Sequence, residues 1–583
     1  MWKKIFYIIK SFVVSLSLTA LAAGCVQDDG KTLSEGDGMS PSSYVSLCFV
    51  SSEGTFTRSN PTGGELGDGL EKGQDYENKI SSAVAFFFSG DNGVNSEAMT
   101  PIKATVVFNE FSEDNVSASD EFDRIYTTVP QKIDLDNGVY DVLIVANPGS
   151  DWWSGKVLTL ADVRDHIQTE AWTEILSESD FDYSNFVMTS ASDTQLTLNS
   201  NSVKDPAVIL VNVERMAARL DYKAVESYTC TDPNYSGATV EILGAVLVNN
   251  LTAGSFLMKR VAKTVDGVPD FLGNETIENG IQSNYVLDPW TSDKVSTNNS
   301  FLINGASNRP ASELFGIWYL DGSEDPNWWS NQVKTGTSIS DGNEIWQRIG
   351  YTLENTTKDS ETGKRYSTGV VFKAQFHPKG LLNYKDGETF FALGTQLYAS
   401  MEDMMTRVYG TDFSQQFSEI KQCKNWGQVK EFINETLQQD DPSGYYSYLS
   451  KLVEDKNDDD PVADIQSLVW EDYMLNECGY SRDSNGKVLI DQNGKITRIV
   501  LKPYGVRTYK NGICYYTWWV RHSNDQDDNI NGVMEYAVVR NNIYKLTVKA
   551  IYSLGGDVPN GENIIVDIYV NDWLLLDSET LPM

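Results

Sequence analysis

Short stretches in which apolar and polar residues alternate recur along both halves of the chain. In residues 44–51, Val45, Leu47 and Phe49 share one face at a spacing of two, and residues 138–147 are also strand-like. Successive side chains of a strand point to opposite faces, so this period predicts strands with one buried face. Turn residues separate these stretches, which is typical of a β-sandwich.

The most apolar strand pattern near the C-terminus lies in residues 564–583. It consists of an alternating run followed by a second apolar run, and the apolar residues are Val566, Ile568, Val570, Leu574 and Leu576. Such a strand can pair inside its own domain, which is the commoner fate. It can also complete the sheet of another molecule by strand addition. The pattern alone leaves both fates open.

A different period begins near residue 401 and continues to about residue 476. Trp426, Val429 and Ile433 recur at three and four residues, as on one face of an amphipathic helix. The pattern therefore predicts a helical insertion within a mainly β chain.

The N-terminal residues have the features of an export signal. Lysines precede an apolar run over residues 12–23, which ends at Gly24 and Cys25. A basic start, a short apolar core and small residues before a cut are typical of a secretory signal peptide. The segment before Cys25 resembles a bacterial lipobox, which would make Cys25 the lipid-bearing residue. An ordinary cleaved signal peptide is the alternative.

Chain length and net charge limit the number of domains and the kinds of partner that this protein can have. A chain of 583 residues is too long for one core and indicates two to four domains. The formal net charge of −36 argues against nucleic acid and against an anionic membrane surface as partners. The six cysteines include no CxxC spacing. A Cys423–Cys478 bridge and buried free thiols both remain open.

Candidate catalytic chemistry is sparse. The three histidines form no metal-binding motif, and the chain has no GxSxG, P-loop or GxGxxG in a strand–helix setting. We therefore expect no enzyme activity, no cofactor and no metal. Tryptophan pairs at 152–153, 328–329 and 518–519 could stack on sugar rings, but core packing or loop anchoring is the commoner role.

A turn-rich loop follows the strand of residues 44–51. Residues 52–64 are rich in glycine, serine and threonine, and Arg58 is the only basic residue between Lys31 and Lys72. Exposed loops of small polar residues are preferred sites of proteolysis. A cut between Arg58 and Ser59 is the sharper interpretation, and a solvated loop arginine is the simpler one.

Several stretches resemble one known family. Residues 211–219, VNVERMAAR, resemble the V-x-V-E-R-x-x-A-R segment of Bacteroidetes fimbrillins, the type V pilins. Residues 536–548 resemble the V-x-R-N-x-x-Y segment of these proteins, and residues 515–518 resemble their Y-Y-x-W strand. The V-x-V-x-x-W strand over residues 566–573 follows as it does in the family. Mfa-type minor fimbrillins are the most similar group.

The resemblance implies a mainly β fold of two transthyretin-like β-sandwich domains, with the helical insertion in the C-terminal domain. It also implies a signal peptide and a propeptide with a removable strand. The implied segments are 1–24 for the lipoprotein signal peptide, 25–58 for the propeptide, 59–225 for the N-terminal sandwich and 226–583 for the C-terminal sandwich, which contains the insertion at about 401–476 and a donor strand at about 564–583.

The resemblance also implies an assembly mechanism. The precursor would be lipidated on Cys25 in the outer membrane, and an arginine-specific surface protease would cut between Arg58 and Ser59. The strand with Val45, Leu47 and Phe49 would then leave. A C-terminal donor strand from another copy, or from a related pilin, would fill its place head to tail, and the subunits would form an extracellular fimbrium. The donor residues implied are Val566, Ile568, Val570, Leu574 and Leu576, unless residues 566–570 pair within the subunit and only the last ten residues are exchanged.

Three alternatives remain from the sequence. The chain could be a fimbrial tip adhesin that binds through its helical insertion. It could be an anchor subunit that keeps its lipid. It could also be a surface glycan-binding lipoprotein, unrelated to pili, that uses its tryptophan pairs.

Overall fold

The computed structural model describes most of the sandwich regions of the chain. The residues described are 42–49, 70–89, 99–114, 125–168, 170–176, 181–190, 194–248, 251, 254–262, 264–265, 268–269, 285–288, 337–341, 344–355, 368–409, 419–420, 422–436, 445–462, 506–522, 536–557 and 564–574. Cys25, Arg58, Ser59 and Leu576 lie outside them.

Fifteen strands precede Met216 in this part of the chain. They are β1 Ser43–Phe49, β2 Leu70–Lys72, β3 Ala83–Phe88, β4 Ile102–Phe108, β5 Phe111–Asp114, β6 Ile125–Thr128, β7 Gln131–Ile133, β8 Gly138–Ala146, β9 Ile167–Gln168, β10 Thr173–Leu176, β11 Phe181–Ser184, β12 Met188–Ser190, β13 Thr194–Leu198, β14 Ala207–Val211 and β15 Val213–Arg215.

The strands that follow Met216 belong mostly to the C-terminal sheets. They are β16 Ala217–Lys223, β17 Tyr228–Thr229, β18 Thr239–Val248, β19 Ser255–Phe256, β20 Arg260–Ala262, β21 Thr264–Val265, β22 Val268–Pro269, β23 Tyr285–Leu287, β24 Thr337–Asp341, β25 Glu344–Leu353, β26 Gly369–His377, β27 Phe390–Leu393, β28 Gln396–Tyr398, β29 Val506–Tyr509, β30 Ile513–Trp519, β31 Asn542–Ile551 and β32 Ile564–Leu574.

Helices are few among the described residues. They are α1 Asp75–Asn78, α2 Leu160–Arg164, α3 Met401–Tyr409, α4 Trp426–Thr436 and α5 Tyr445–Val453, with short 3-10 turns at Pro233–Tyr235 and Lys510–Gly512. The last three α-helices lie within the predicted helical insertion. Val429 and Ile433 of α4 are buried, as their spacing predicted.

Two sheets form the N-terminal part of the fold. The first has the order β14-β1-β6-β5, with β7 also paired to β1, and the second has the order β15-β12-β8-β3-β4, with β13 also paired to β8. Strands of both sheets contribute to one apolar core cluster, which includes Leu47, Phe87, Ile144 and Ile209. The alternation in the sequence produces this core, since each strand contributes one apolar face to it.

Two further sheets form the C-terminal part. Their orders are β2-β32-β31-β16-β25-β24 and β17-β18-β26-β30. Leu220 and Tyr544 from the first sheet join Phe372 and Tyr516 from the second in a common core cluster. The prediction of a mainly β chain with sandwich-type sheets is confirmed.

The chain passes from the N-terminal sheets to the C-terminal sheets at the buried residue Met216. β15 ends just before this residue in an N-terminal sheet, and β16 begins just after it in a C-terminal sheet. β2 also lies in the C-terminal sheet although it comes early in the chain. The domain limits at 59–225 and 226–583 stay a prediction.

Candidate assembly site

The strand predicted to be removable, β1, is an inner strand of its sheet. Val45, Leu47 and Phe49 are completely buried. The ring centroid of Phe49 lies 6.2 Å from that of Phe111. Burial of three such side chains contributes about 5–9 kcal/mol relative to their exposure. The spacing of these residues in the sequence therefore identified the buried face of β1 correctly.

Backbone pairing holds β1 on both sides. β14 runs parallel to it from Val45↔Ala207 to Phe49↔Val211, while β7 and β6 run antiparallel along the opposite edge. Pro130 lies between β6 and β7 and has no N–H to donate to a ladder.

Thr128 bridges this interruption by contacts with the middle of β1. The Leu47 N–H donates to Thr128 Oγ1 at 2.9 Å, and Ser46 Oγ donates to the Thr128 carbonyl at 2.8 Å. All three residues are buried. β1 is therefore held along its whole length by strands and by this threonine.

The predicted cleavage site is in the part of the chain that links strands of two different sheets. Residues 50–69 link β1, in an N-terminal sheet, to β2, in a C-terminal sheet. Arg58 and Ser59 are in this link, outside the described residues, and so is Cys25 at the N-terminus. Cleavage and lipidation at these residues stay predictions.

The C-terminal strand β32 is paired within its own subunit. It runs antiparallel to β31, from Ile564↔Ile551 to Asp572↔Asn542. Val570 is buried, and Val566 and Ile568 pack half-buried against the C-terminal core cluster. In the structure these three residues therefore have the first of the two fates that the sequence left open. Their donation to another subunit stays a prediction.

The far end of β32 pairs with a strand from the other end of the chain. β2 lies parallel to it, with Leu70 opposite Asp572 and Lys72 opposite Leu574. Leu574 is the last described residue, and Leu576 lies beyond it. The first strand after the predicted cleavage loop therefore pairs with the strand that contains four of the five predicted donor residues.

A buried carboxylate fixes β2 in this position. Glu71 Oε1 lies 2.6 Å from Arg219 Nη2, and Glu71 Oε2 lies 2.7 Å from Lys545 Nζ. Asn571 Nδ2 donates to Glu71 Oε2 at 3.0 Å. These partners belong to β16, β31 and β32, so the one side chain of Glu71 joins β2 to three strands.

Arg219 is the centre of a larger buried group of charges. Its Nη1 lies 2.9 Å from Glu77 Oε2 of α1, and its Nη2 lies 2.9 Å from Asp221 Oδ2. We call Glu71, Glu77, Arg219, Asp221 and Lys545 the Arg219 cluster. Its members come from four separate elements, so it ties residues 70–78 to the C-terminal sheet. The sequence did not identify these partners of Arg219.

Glu77 is also bound by neutral donors. The Gln74 N–H donates to Glu77 Oε2 at 2.7 Å, and the Tyr351 hydroxyl donates to Glu77 Oε1. Burial is the largest cause that raises the pKa of Tyr351 well above its ordinary value, and the charge of Glu77 is the next. Tyr351 therefore stays a neutral donor to this carboxylate.

Asp221 is the least satisfied carboxylate of the cluster. Its Oδ1 is buried and accepts no hydrogen bond from any described residue. Burial raises the pKa of Asp221 to about 6, although Arg219 opposes the shift; the charges of Glu71 and Glu77 add to it. Since the folded state binds this proton more tightly than the unfolded state, the stabilisation is present at low pH and is lost as the pH rises past about 6.

Asp221→Asn will therefore change how stability depends on pH. Between pH 4 and pH 7, we expect the wild type to lose up to about 3 kcal/mol of unfolding free energy relative to the variant. Urea unfolding of both proteins across this range measures the difference. Asp134→Asn, at an exposed carboxylate, is the control and should run parallel to the wild type. Parallel curves for Asp221→Asn and the wild type would refute the assignment.

Residues 211–219 and 536–548, two of the segments that resemble fimbrillins, meet beside the Arg219 cluster. The Arg215 N–H donates to Asn541 Oδ1 at 3.0 Å, and the Asn541 N–H donates to the Ala217 carbonyl at 2.8 Å. Asn541 has a φ of 58°, in the left-handed region that asparagine tolerates better than most residues. The Asn of the R-N pair therefore connects the two sets of sheets.

The preceding arginine has a separate structural role. Arg540 is completely buried, and its Nη2 lies 2.7 Å from Glu354 Oε2. It also donates to the carbonyls of Leu257 and Phe256 at 2.8 and 2.6 Å. Arg540, two residues before β31, thus joins the segment containing β19 to Glu354, the residue that follows β25.

Tryptophan and histidine side chains that could have formed a binding site take part in contacts within the protein. Trp152 stacks on His166 with ring centroids 3.8 Å apart, and His522 Nδ1 lies 2.9 Å from the Tyr544 hydroxyl. Within the described ranges, no three metal-ligating side chains are grouped so that they could hold an ion. In the same part of the chain, no helix has both the length and the apolar character to cross a bilayer.

The cysteines that the structure describes form no disulfide with one another. They are Cys48, Cys230, Cys423 and Cys514. Cys478, the other member of the possible bridge, lies outside the described residues.

Sequence reasoning missed Glu71, Glu77 and Lys545. Arg219 and Asp221 alternate with Ala218, Leu220 and Tyr222, a pattern that predicts a solvent-exposed polar face, so no local signal in the sequence marks these charges as buried. Charges at inward positions of a strand require buried partners of opposite sign.

One family model matches the C-terminal region. Residues 507–579 match the C-terminal part of fimbrillin, described as major fimbrial subunit protein type IV. The matched region contains β30, β31 and β32, with Arg540, Asn541 and Lys545. None of the curated proteins matches this chain in sequence.

Solved structures show looser likenesses. A fimbrilin (FimA) from Porphyromonas gingivalis W83 is 14% identical, with 92% of this chain and 99% of that chain covered and a TM-score of 0.34. The tip fimbrial protein Mfa3 from Porphyromonas gingivalis is 10% identical, with 91% and 100% covered and a TM-score of 0.30. The likeness in sequence that this chain shows is therefore to fimbrial subunit proteins, over its C-terminal region.

Proposed function

We propose that this protein is a structural fimbrial subunit that polymerises by protease-triggered strand exchange and supports adhesion. The observation that carries the proposal is the position of β1. It is an inner strand with three completely buried apolar side chains. A cut at Arg58 would disconnect β1 from the rest of the chain and leave it held by non-covalent contacts alone.

Loss of β1 would open a groove suited to another strand. Its walls would be the unpaired edges of β14 on one side and of β6 and β7 on the other. Ile133 and Ile209, both buried beside β1, would lose part of their cover. Unpaired edges next to apolar surface favour strand addition. A C-terminal strand from another copy would fill the groove, and head-to-tail addition that does not close produces a filament.

The remaining steps follow the order of the chain. Cys25 would carry the lipid that holds the precursor in the outer membrane. An arginine-specific protease at the surface would cut after Arg58 and release the subunit from its lipid. The product would act in an extracellular fimbrium, together with copies of itself or related pilins. This role needs no catalysis, and the similarity of residues 507–579 to a fimbrial subunit protein supports it.

Limited proteolysis tests the proposal. Precursor lacking residues 1–25 is treated with a trace of trypsin, its new N-terminus is sequenced, and its size is followed on unboiled SDS gels. We expect one early cut that leaves Ser59 at the N-terminus, followed by a ladder of SDS-resistant oligomers. Arg58→Ala should abolish both, because trypsin requires the basic side chain. Lys31→Ala, a matched change upstream, should leave both unchanged.

Two results would overturn the proposal. If Arg58 is cut and the product stays monomeric at high concentration, a tip adhesin becomes the better explanation. If Arg58 resists trypsin, an anchor that keeps its lipid becomes the better explanation. Glycan binding has less support, because Trp152 and Trp153 pack against an internal apolar cluster.

A further inference from the structure

The two strands that flank the cleavage loop have different surroundings. β1 belongs to an N-terminal sheet, whereas β2 belongs to the C-terminal sheet and lies beside β32. After a cut at Arg58, residues 70–78 would be the first described segment of the shortened chain. The cut therefore frees β1 without loosening any described contact of β2.

The contacts of Glu71 hold β2 and β32 together. Its carboxylate reaches Lys545 on β31 and Asn571 on β32, and it also reaches Arg219 on β16. Arg219 and Lys545 are themselves buried. If β2 left, these two cations would lose a carboxylate partner inside the protein, and removal of one partner of a buried ion pair is strongly unfavourable.

β32 is also costly to remove from its sheet. It pairs with β31 from Ile564 to Asp572, and Val570 is buried in the C-terminal core. β2 pairs with the C-terminal end of β32, at residues 572–574. The strand is thus held by a long ladder on one edge and by the Glu71 contacts on the other.

We infer that Glu71 is a positioning residue that keeps β32 in its own subunit through cleavage and assembly, so that Ile564–Leu574 is not part of the exchanged strand. The inference rests on the proposed function, because it concerns which residues are exchanged during assembly. It replaces a donor that includes Val566, Ile568 and Val570 with one that begins after Leu574.

A cysteine pair reports where β32 lies in the polymer. Leu70 and Asp572 are opposite each other in the β2–β32 ladder. Neighbouring strands lie about 4.8 Å apart, within the range that a disulfide spans. The double variant Leu70→Cys/Asp572→Cys is cut, assembled and then oxidised. Each single variant serves as the control for linkage through the native cysteines.

If β32 stays in its own subunit, the disulfide should form within each chain. Heating the oxidised polymer in SDS without reductant should then release internally linked monomers. If β32 is exchanged, residue 572 enters the β1 groove of a neighbouring subunit, in an N-terminal sheet, and lies away from β2, which stays in a C-terminal sheet. A polymer that forms no disulfide, although the uncut double variant forms it, would overturn the inference.

Hydrogen exchange gives a second readout that does not need polymer. In the cut monomer, amides of residues 564–574 should stay as protected as in the precursor. Glu71→Gln should speed exchange at residues 572–574 by about tenfold and lower the yield of the intrachain disulfide. Asp134→Asn should change neither. Loss of protection on cutting, or no effect of Glu71→Gln, would overturn the inference. A cut protein that stays monomeric with β32 protected would refute the proposed function alone.

Discussion

Replacing Arg219 with alanine is expected to lower the unfolding free energy by about 3–5 kcal/mol. The guanidinium contacts Glu71, Glu77 and Asp221 in a buried site, with distances of 2.6–2.9 Å. Without it, three buried carboxylates would face Lys545 as the remaining cation of the cluster. Urea unfolding at pH 7, with and without the substitution, measures the loss.

Two further variants separate charge from packing at this site. Arg219→Lys keeps the charge but not the planar fork that reaches three carboxylates, so its loss should be intermediate. Lys132→Ala removes an exposed ion pair with Asp134, and should change stability by less than about 1 kcal/mol. Equal effects of Arg219→Ala and Lys132→Ala would show that the cluster does not organise the sheet.

The second large effect is expected in β1. Phe49→Ala should destabilise the uncut precursor by about 3–5 kcal/mol, because the ring is completely buried and the substitution leaves a cavity. Once the cut has released β1, the same substitution should have no effect on the stability of the product. It should also speed the release of β1 and hence the start of assembly. Unfolding curves before and after trypsin measure the two stabilities. The time at which the SDS-resistant ladder appears measures the start of assembly.

An exposed residue on the adjacent strand is the matched control for this experiment. Val208 of β14 points away from the core, with 41% of its surface exposed, so Val208→Ala should cost less than about 1 kcal/mol in either form. If Phe49→Ala remains as costly after the cut as before it, β1 does not leave, and exchange at this groove is excluded.

The sequence predicted β1 well because its signal is local. A period of two places Val45, Leu47 and Phe49 on one face, and the structure buries all three. The helical insertion was also found from a local period, that of Trp426, Val429 and Ile433. In both cases neighbouring residues alone carry the information.

Features that depend on distant pairing could not be predicted in this way. Alternation in β32 shows that Val566, Ile568 and Val570 share a face, but not which strand they pair with. Its neighbours are β31 on one side and β2, about five hundred residues earlier, on the other. The same limit hid the partners of Arg219, because Glu71 and Glu77 are two among 82 acidic residues.

The most direct test of strand exchange compares the cut protein with and without residues 575–583. Truncation after Leu574 leaves β32 and its pairing with β31 intact, so the monomer should fold normally. Both proteins are cut at Arg58 and sized on unboiled SDS gels. We expect an SDS-resistant ladder from the full chain and a folded monomer from the truncated one. A ladder of equal length from the truncated protein would contradict exchange of the C-terminal residues.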